Sequence, residues 1–184
     1  MRQGRGGPGL RILAADSFGV SSGAPSSRRV PGSREDLREL SLRRVDGEYL
    51  AKSSLDKKLL DLISLRVSQI NGCAFCLDMH WKDLKAAGES DQRLYSLDTW
   101  RETPFYSERE RAALTWAEAT TNIRDGHVPD EVFEQVRKQF SEQELADLSL
   151  AVVAINGWNR LNIAFRTPAG TYQPGQFEKL KKTA

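Results

Sequence analysis

Apolar residues recur at helical spacing through most of the chain. Leu59, Leu60, Ile63, Val67 and Ile70 fall near the i, i+3, i+4, i+7 pattern, and Leu62 and Leu65 widen the stripe. The pattern predicts a helix opened at Leu55-Asp56 and ended by Asn71-Gly72, two residues that tolerate positive φ. A second helix is expected to start at Cys73, run to Ala87 and stop at Gly88. Residues 89–104 read as a short helix plus a loop containing Trp100 and Pro104. Ser107 and Glu110 have capping-box spacing ahead of a helix Glu108–Asn122, whose apolar side would use Ala112, Ala113, Trp116 and Ala119. Asp125-Gly126 marks a turn, and Pro129 opens a helix Asp130–Phe140 buried through Val132, Phe133, Val136 and Phe140. Ser141 and Glu144 repeat the capping box before a helix Glu142–Ile155. Asn156-Gly157 is expected to break that helix, and Trp158–Phe165 to add a final turn or two. No segment alternates with period two, so the fold class is all-α.

The chain repeats itself at a spacing of 85 residues. From Leu60 to Gly72 against Leu145 to Gly157 there are seven identities in thirteen ungapped positions. A duplicated helix–break–helix unit follows, packed about a pseudo-twofold. Its differences fall on the reactive residues. Trp158 stands opposite Cys73, Leu161 opposite Cys76, Phe165 opposite His80 and Ala146 opposite Asp61. The backbone unit therefore does not need thiols, imidazole or carboxylate in order to pack.

Composition fits a globular body with a tail: 39% of the 184 residues are hydrophobic and 28% charged. Residues 1–34 hold seven of the fourteen glycines and three of the seven prolines, with no apolar period, and are expected to be disordered. The domain is expected over residues 35–184, entered through a charged, mostly helical segment 35–51. The net charge of +2 divides into +5 on residues 1–34 and −3 on the rest, so the body offers no basic face for nucleic acid. No apolar run is long enough to span a membrane. Two cysteines in one C-x-x-C are not a secreted disulfide framework and suit a reducing, cytoplasmic compartment. The Arg- and Ser-rich start also fits a transit peptide, and an appended or misassigned start fits equally well.

The candidate chemistry is concentrated in residues 59–80. Cys73 and Cys76 can close a disulfide if the backbone bends there, and a helix start favours their thiolate forms. His80 returns to the face of Cys76 one helical turn on, and Asp61 lies twelve residues before Cys73. Together these are the parts of a thiol redox centre with its own proton donor and acceptor. Two buried structural thiols are the bland alternative. Zinc is a third: Cys73, Cys76, His80 and His127 could supply four ligands, but His127 is 47 residues past His80 and the H-x₃₋₅-H spacing is missing. No cofactor or metal is expected. Trp81, Trp100, Trp116 and Trp158 read as core or interface residues, and Asn162 and Arg166 as solvated or interfacial ones.

The string SQINGCAFCLDMH, with Asp61 ahead of C-x-x-C-x-x-x-H, resembles the alkyl hydroperoxidase D family within the carboxymuconolactone decarboxylase-like superfamily. The similarity continues through Lys82–Gly88 and roughly residues 100 to 170. The resemblance implies a helical bundle assembled as trimers or hexamers. It implies a hydroperoxide substrate and an external dithiol protein as reductant. It also implies Cys76 as the attacking thiol, Cys73 as the resolving one, and His80 with Asp61 as the proton relay. Two positions depart from the family: Asp61 stands where glutamate is usual, and Phe75 where some members carry a relay histidine. The competing readings are a lactone decarboxylase, whose relatives generally lack the C-x-x-C, and a redox-responsive assembly without turnover.

Overall fold

The computed structural model describes residues 49–123 and 127–176. The expected tail over 1–34, the helical segment from 35 to 48 and the Asp125-Gly126 turn lie outside the described residues. Six α-helices follow in order: α1 Lys57–Asn71, α2 Ala74–Ala86, α3 Asp91–Tyr95, α4 Glu108–Thr121, α5 Asp130–Arg137 and α6 Glu142–Ala164. Short 3₁₀ turns occupy Leu50–Lys52 and Leu97–Glu102, and there is no strand among the described residues.

α1 is the central helix because its apolar stripe is wide enough to be buried twice. Leu59, Ile63 and Val67, four residues apart, enter one cluster with Cys73, Cys76 and the α6 residues Leu145, Leu148, Val152 and Ile155. Leu62 and Leu65 enter a second cluster with Leu84, Leu94, Leu97, Trp100, Tyr106 and Leu114. Ala112, Ala113 and Ala117 bring α4 close to the first cluster. The buried side of α4 therefore uses Leu114 and Ala117, while Trp116 and Ala119 are only half-buried. Trp116 packs at the edge of the cluster, with its indole N–H on Ser149 Oγ at 2.9 Å.

Capping explains where the helices begin. Asp56 accepts from the Lys58 N–H at 3.1 Å, and both predicted capping boxes form, at Ser107/Glu110 and Ser141/Glu144. α5 is shorter than expected, ending at Arg137, and Phe133 faces outward against Trp116 at a centroid distance of 6.3 Å instead of entering the core.

The break expected at Asn156-Gly157 is not made. α6 runs unbroken for 23 residues from Glu142 to Ala164. The first copy turns at Gly72, whose φ of 68° is left-handed; Gly157 has no positive φ. The difference lies in the following residue. Cys73 accepts a hydrogen bond as the N-cap of α2, whereas Trp158 has no acceptor with which to cap a new helix. Asn156 also bonds back to the Val152 carbonyl at 2.9 Å, which keeps the turn helical. The duplication survives in the packing of α1 and α2 against α6.

Candidate functional site

The bend at Gly72 positions the sulfurs. The Cys73 N–H bonds the Ser68 carbonyl at 3.0 Å and the Gly72 N–H bonds the Gln69 carbonyl at 3.2 Å, closing the end of α1 in a Schellman-type turn. Nothing lies within 4 Å of where a Gly72 Cβ would sit, so glycine is required there by φ alone. Cys73 then caps α2, its Sγ accepting the Cys76 N–H at 3.4 Å. Both cysteines are free thiols, each only 1% exposed.

The two sulfurs share their protons. The hydrogen bond from the Cys76 thiol, aided by backbone N–H groups and opposed by burial, brings Cys73 down to about 7. Cys76 is pushed in the opposite direction by the same hydrogen bond, by burial and by the charge on Cys73. The first proton therefore leaves the pair easily and the second is held on Cys76.

His80 and Asp61 are brought together from α2 and α1. His80 Nδ1 lies 3.8 Å from Asp61 Oδ1, an ion-pair distance longer than a hydrogen bond, with side chains 12% and 14% exposed. Neither ring nitrogen of His80 has a hydrogen-bond partner among the described residues. Asp61 also takes the Lys57 ammonium at 2.6 Å. Burial would raise the Asp61 carboxyl, but His80 and Lys57 outweigh it and hold the group below the usual carboxylate range. Asp83, beside this pair, is raised, chiefly by burial and also by the charge on Asp61, although the Tyr172 hydroxyl donates to it.

Two asparagines of α6 face the sulfurs, a role not expected of either. Asn162, expected to be solvated or interfacial, is half-buried and donates to Cys76 Sγ at 3.3 Å. Asn159, fully buried, donates to Ser68 Oγ at 3.1 Å and accepts from Asn71 at 2.9 Å, and its carboxamide favours the charged form of both cysteines. The signal for them was present: the repeat places Asn162 next to Leu161, the match of Cys76, with Asn159 one helical turn before it. Phe75 is half-buried against the first core cluster, and Trp81 is 38% exposed. Among the described residues, no group of three or more His, Cys, Asp or Glu side chains is arranged to hold a metal. No helix among them is long and apolar enough to cross a membrane.

A bent helix pair with two thiols at its corner, packed on a long helix from a second copy, is the core of a known helical class. The chain belongs to the carboxymuconolactone decarboxylase/AhpD-like superfamily, and a sequence model of the Carboxymuconolactone decarboxylase family matches residues 36–119. The uncharacterized protein YdfG of Bacillus subtilis is 44% identical over 124 residues, covering 67% of this chain and 84% of YdfG. An alkyl hydroperoxide reductase AhpD of Nocardia farcinica is 30% identical over 94 residues, covering 46% of this chain and 51% of that protein. The crystal structure of an Agrobacterium tumefaciens protein of unknown function, provisionally described as an antioxidant defence protein AhpD, superposes with a TM-score of 0.73. It is 38% identical, and the match covers 80% of this chain and all of that one.

Proposed function

We propose that this protein is a thiol-dependent peroxidase and disulfide oxidoreductase of the AhpD type. One observation supports the reading: two buried free thiols meet at the start of α2, where the Cys73 sulfur caps the helix by accepting the Cys76 N–H at 3.4 Å. The Asp61–His80 pair joins α1 to α2, with His80 one helical turn beyond Cys76.

In the proposed cycle a proton passes from the Cys76 thiol to the Cys73 thiolate, leaving charge on Cys76. The Cys76 sulfur attacks a hydroperoxide, forming an S–O bond and breaking the O–O bond. The sulfur is oxidised by two electrons to a sulfenic acid, and the leaving alkoxide takes a proton delivered through His80, which Asp61 orients. Cys73 then condenses with the sulfenic acid, releasing water and forming the disulfide. An external dithiol protein restores both thiols. Assembly into a homo-oligomer and a hydroperoxide substrate belong to the same reading.

Cysteine-to-serine exchange with sulfenic acid trapping tests it. The expected result is peroxide-dependent trapping at Cys76 in the Cys73→Ser protein and no turnover in either single variant. Turnover that survives Cys76→Ser, with the sulfenic acid on Cys73, reverses the order. The near-complete burial of both sulfurs favours one competing reading, a switch that changes packing on oxidation. A protein that oxidises once and is not recycled by dithiols while peroxide is consumed fits that switch.

A further inference from the structure

The copy of the repeat that lacks thiols still reaches them. Asn162 on α6 gives one amide hydrogen to Cys76 Sγ at 3.3 Å and the other to the Trp158 carbonyl at 2.9 Å. Both hydrogens are thereby committed, which fixes the amide plane relative to the sulfur. The match of Asn162 in the first copy is Leu77, and that of Asn159 is Ala74. Carboxamides therefore stand in the second copy where the first carries hydrocarbon.

A neutral N–H aimed at sulfur favours the thiolate over the thiol, because the hydrogen bond strengthens when the acceptor is charged. The N-terminal geometry of α2 works the other way, directing charge to Cys73 through the Cys76 N–H. The titratable groups around Cys76 are Cys73 at the cap and His80 one turn on along α2, with Asp61 of α1 behind it. From α6, the Asn162 carboxamide bonds to Cys76 Sγ, and the Asn159 carboxamide also favours charge there.

We propose that Asn162 is a positioning residue whose carboxamide stabilises negative charge on Cys76 and so enables the second cysteine, not the capping first, to attack. This rests on the dithiol reading above. Asn162 gives up no proton: it keeps both hydrogens while the Cys76 proton moves to Cys73. The second copy of the repeat would thus have exchanged reactive groups for the amides that tune those of the first.

The test uses the full chain in a Cys73→Ser background, where serine keeps the helix cap and only Cys76 can be alkylated. The apparent pKa of Cys76 is read from the pH dependence of iodoacetamide alkylation and from thiolate absorbance at 240 nm. Asn162→Leu, which installs the side chain type of the first copy, should lower the thiolate fraction at fixed pH by about tenfold, one pKa unit. Asn162→Asp has nearly the same shape with a negative charge, and should lower it further. Asn162→Ala gives the same comparison if leucine disturbs α6. An unchanged titration in these variants, or a thiolate fraction that rises in Asn162→Asp, overturns the proposal. The readout needs no peroxide. A protein that consumes none overturns the peroxidase reading, while the Cys76 titration still decides for or against Asn162.

Discussion

Asn71 and Asn156 hydrogen-bond to each other, Nδ2 to Oδ1 at 3.0 Å, and they are the same residue of the repeat, 85 positions apart. Equivalent residues of two copies can meet directly only near the axis that relates them, so this pair marks the pseudo-twofold. Around it the amides interlock: Asn71 also donates to Asn159, and Asn156 donates to Thr121 Oγ1 at 3.0 Å. The two Asn-Gly sites thus share one polar centre while one bends and the other stays helical.

Asn71→Leu should destabilise the protein by about 1–3 kcal/mol, because it leaves the Oδ1 of fully buried Asn159 without the donor it accepts from. Urea unfolding should show a lower midpoint at unchanged slope. Asn156 should suffer less, since Arg160 also donates to its Oδ1 at 2.9 Å.

Gly72→Ala should cost about 1–2 kcal/mol through its left-handed φ of 68° alone, there being no neighbour within 4 Å to clash. Gly72→Asn should cost less, since asparagine visits that region more readily. Thermal melts of the three proteins give the order. The same strain should disturb the Cys73 cap, so alkylation of Gly72→Ala should lose its low-pH phase in parallel.

Alkylation of the unsubstituted protein should show one thiol reacting with a midpoint near pH 7, against an ordinary value of 9.0. Cys73→Ser should remove that phase, and the remaining Cys76 should titrate above the ordinary value because burial persists. The folded value of Cys73 is depressed, so its contribution to stability is complete above pH 9 and is lost as pH falls through about 7. Cys73→Ser should flatten the stability profile across that window, measured by urea midpoints from pH 6 to 9.5.

Glu118 ties α4 to α1 and to the Trp100 turn. It accepts from Arg66 Nε at 2.7 Å, from Trp100 Nε1 at 2.9 Å and from Arg101. Glu118→Ala should lower stability by about 1–3 kcal/mol, since it orphans the indole N–H of buried Trp100 and takes the partner from Nε of Arg66, whose side chain is 13% exposed and keeps Asp98 and Gln69. Calorimetry should show the loss without a change in thiol alkylation, because none of these groups touches the sulfurs.

The all-helical class, both capping boxes, the Gly72 bend and the helix positions of the four candidate residues were legible in the sequence, because each rests on local chemistry. Periodicity reports a buried stripe, S-x-x-E reports a cap, and a glycine before a possible N-cap reports a turn. The duplication was legible because identity at fixed spacing needs no coordinates. What the tertiary structure decided is everything that depends on which surfaces meet. Asn156-Gly157 stays helical because Trp158 offers no cap and Asn156 is engaged by neighbours from other elements. Phe133 stays outside because α5 presents Val136 to the core instead. Asn159 and Asn162 reach the thiols only because α6 lies against α2, a contact between residues some 86 positions apart for Asn162 and Cys76. Local patterns fix the backbone of each element, but the electrostatic setting of the sulfurs is made by side chains arriving from distant ones.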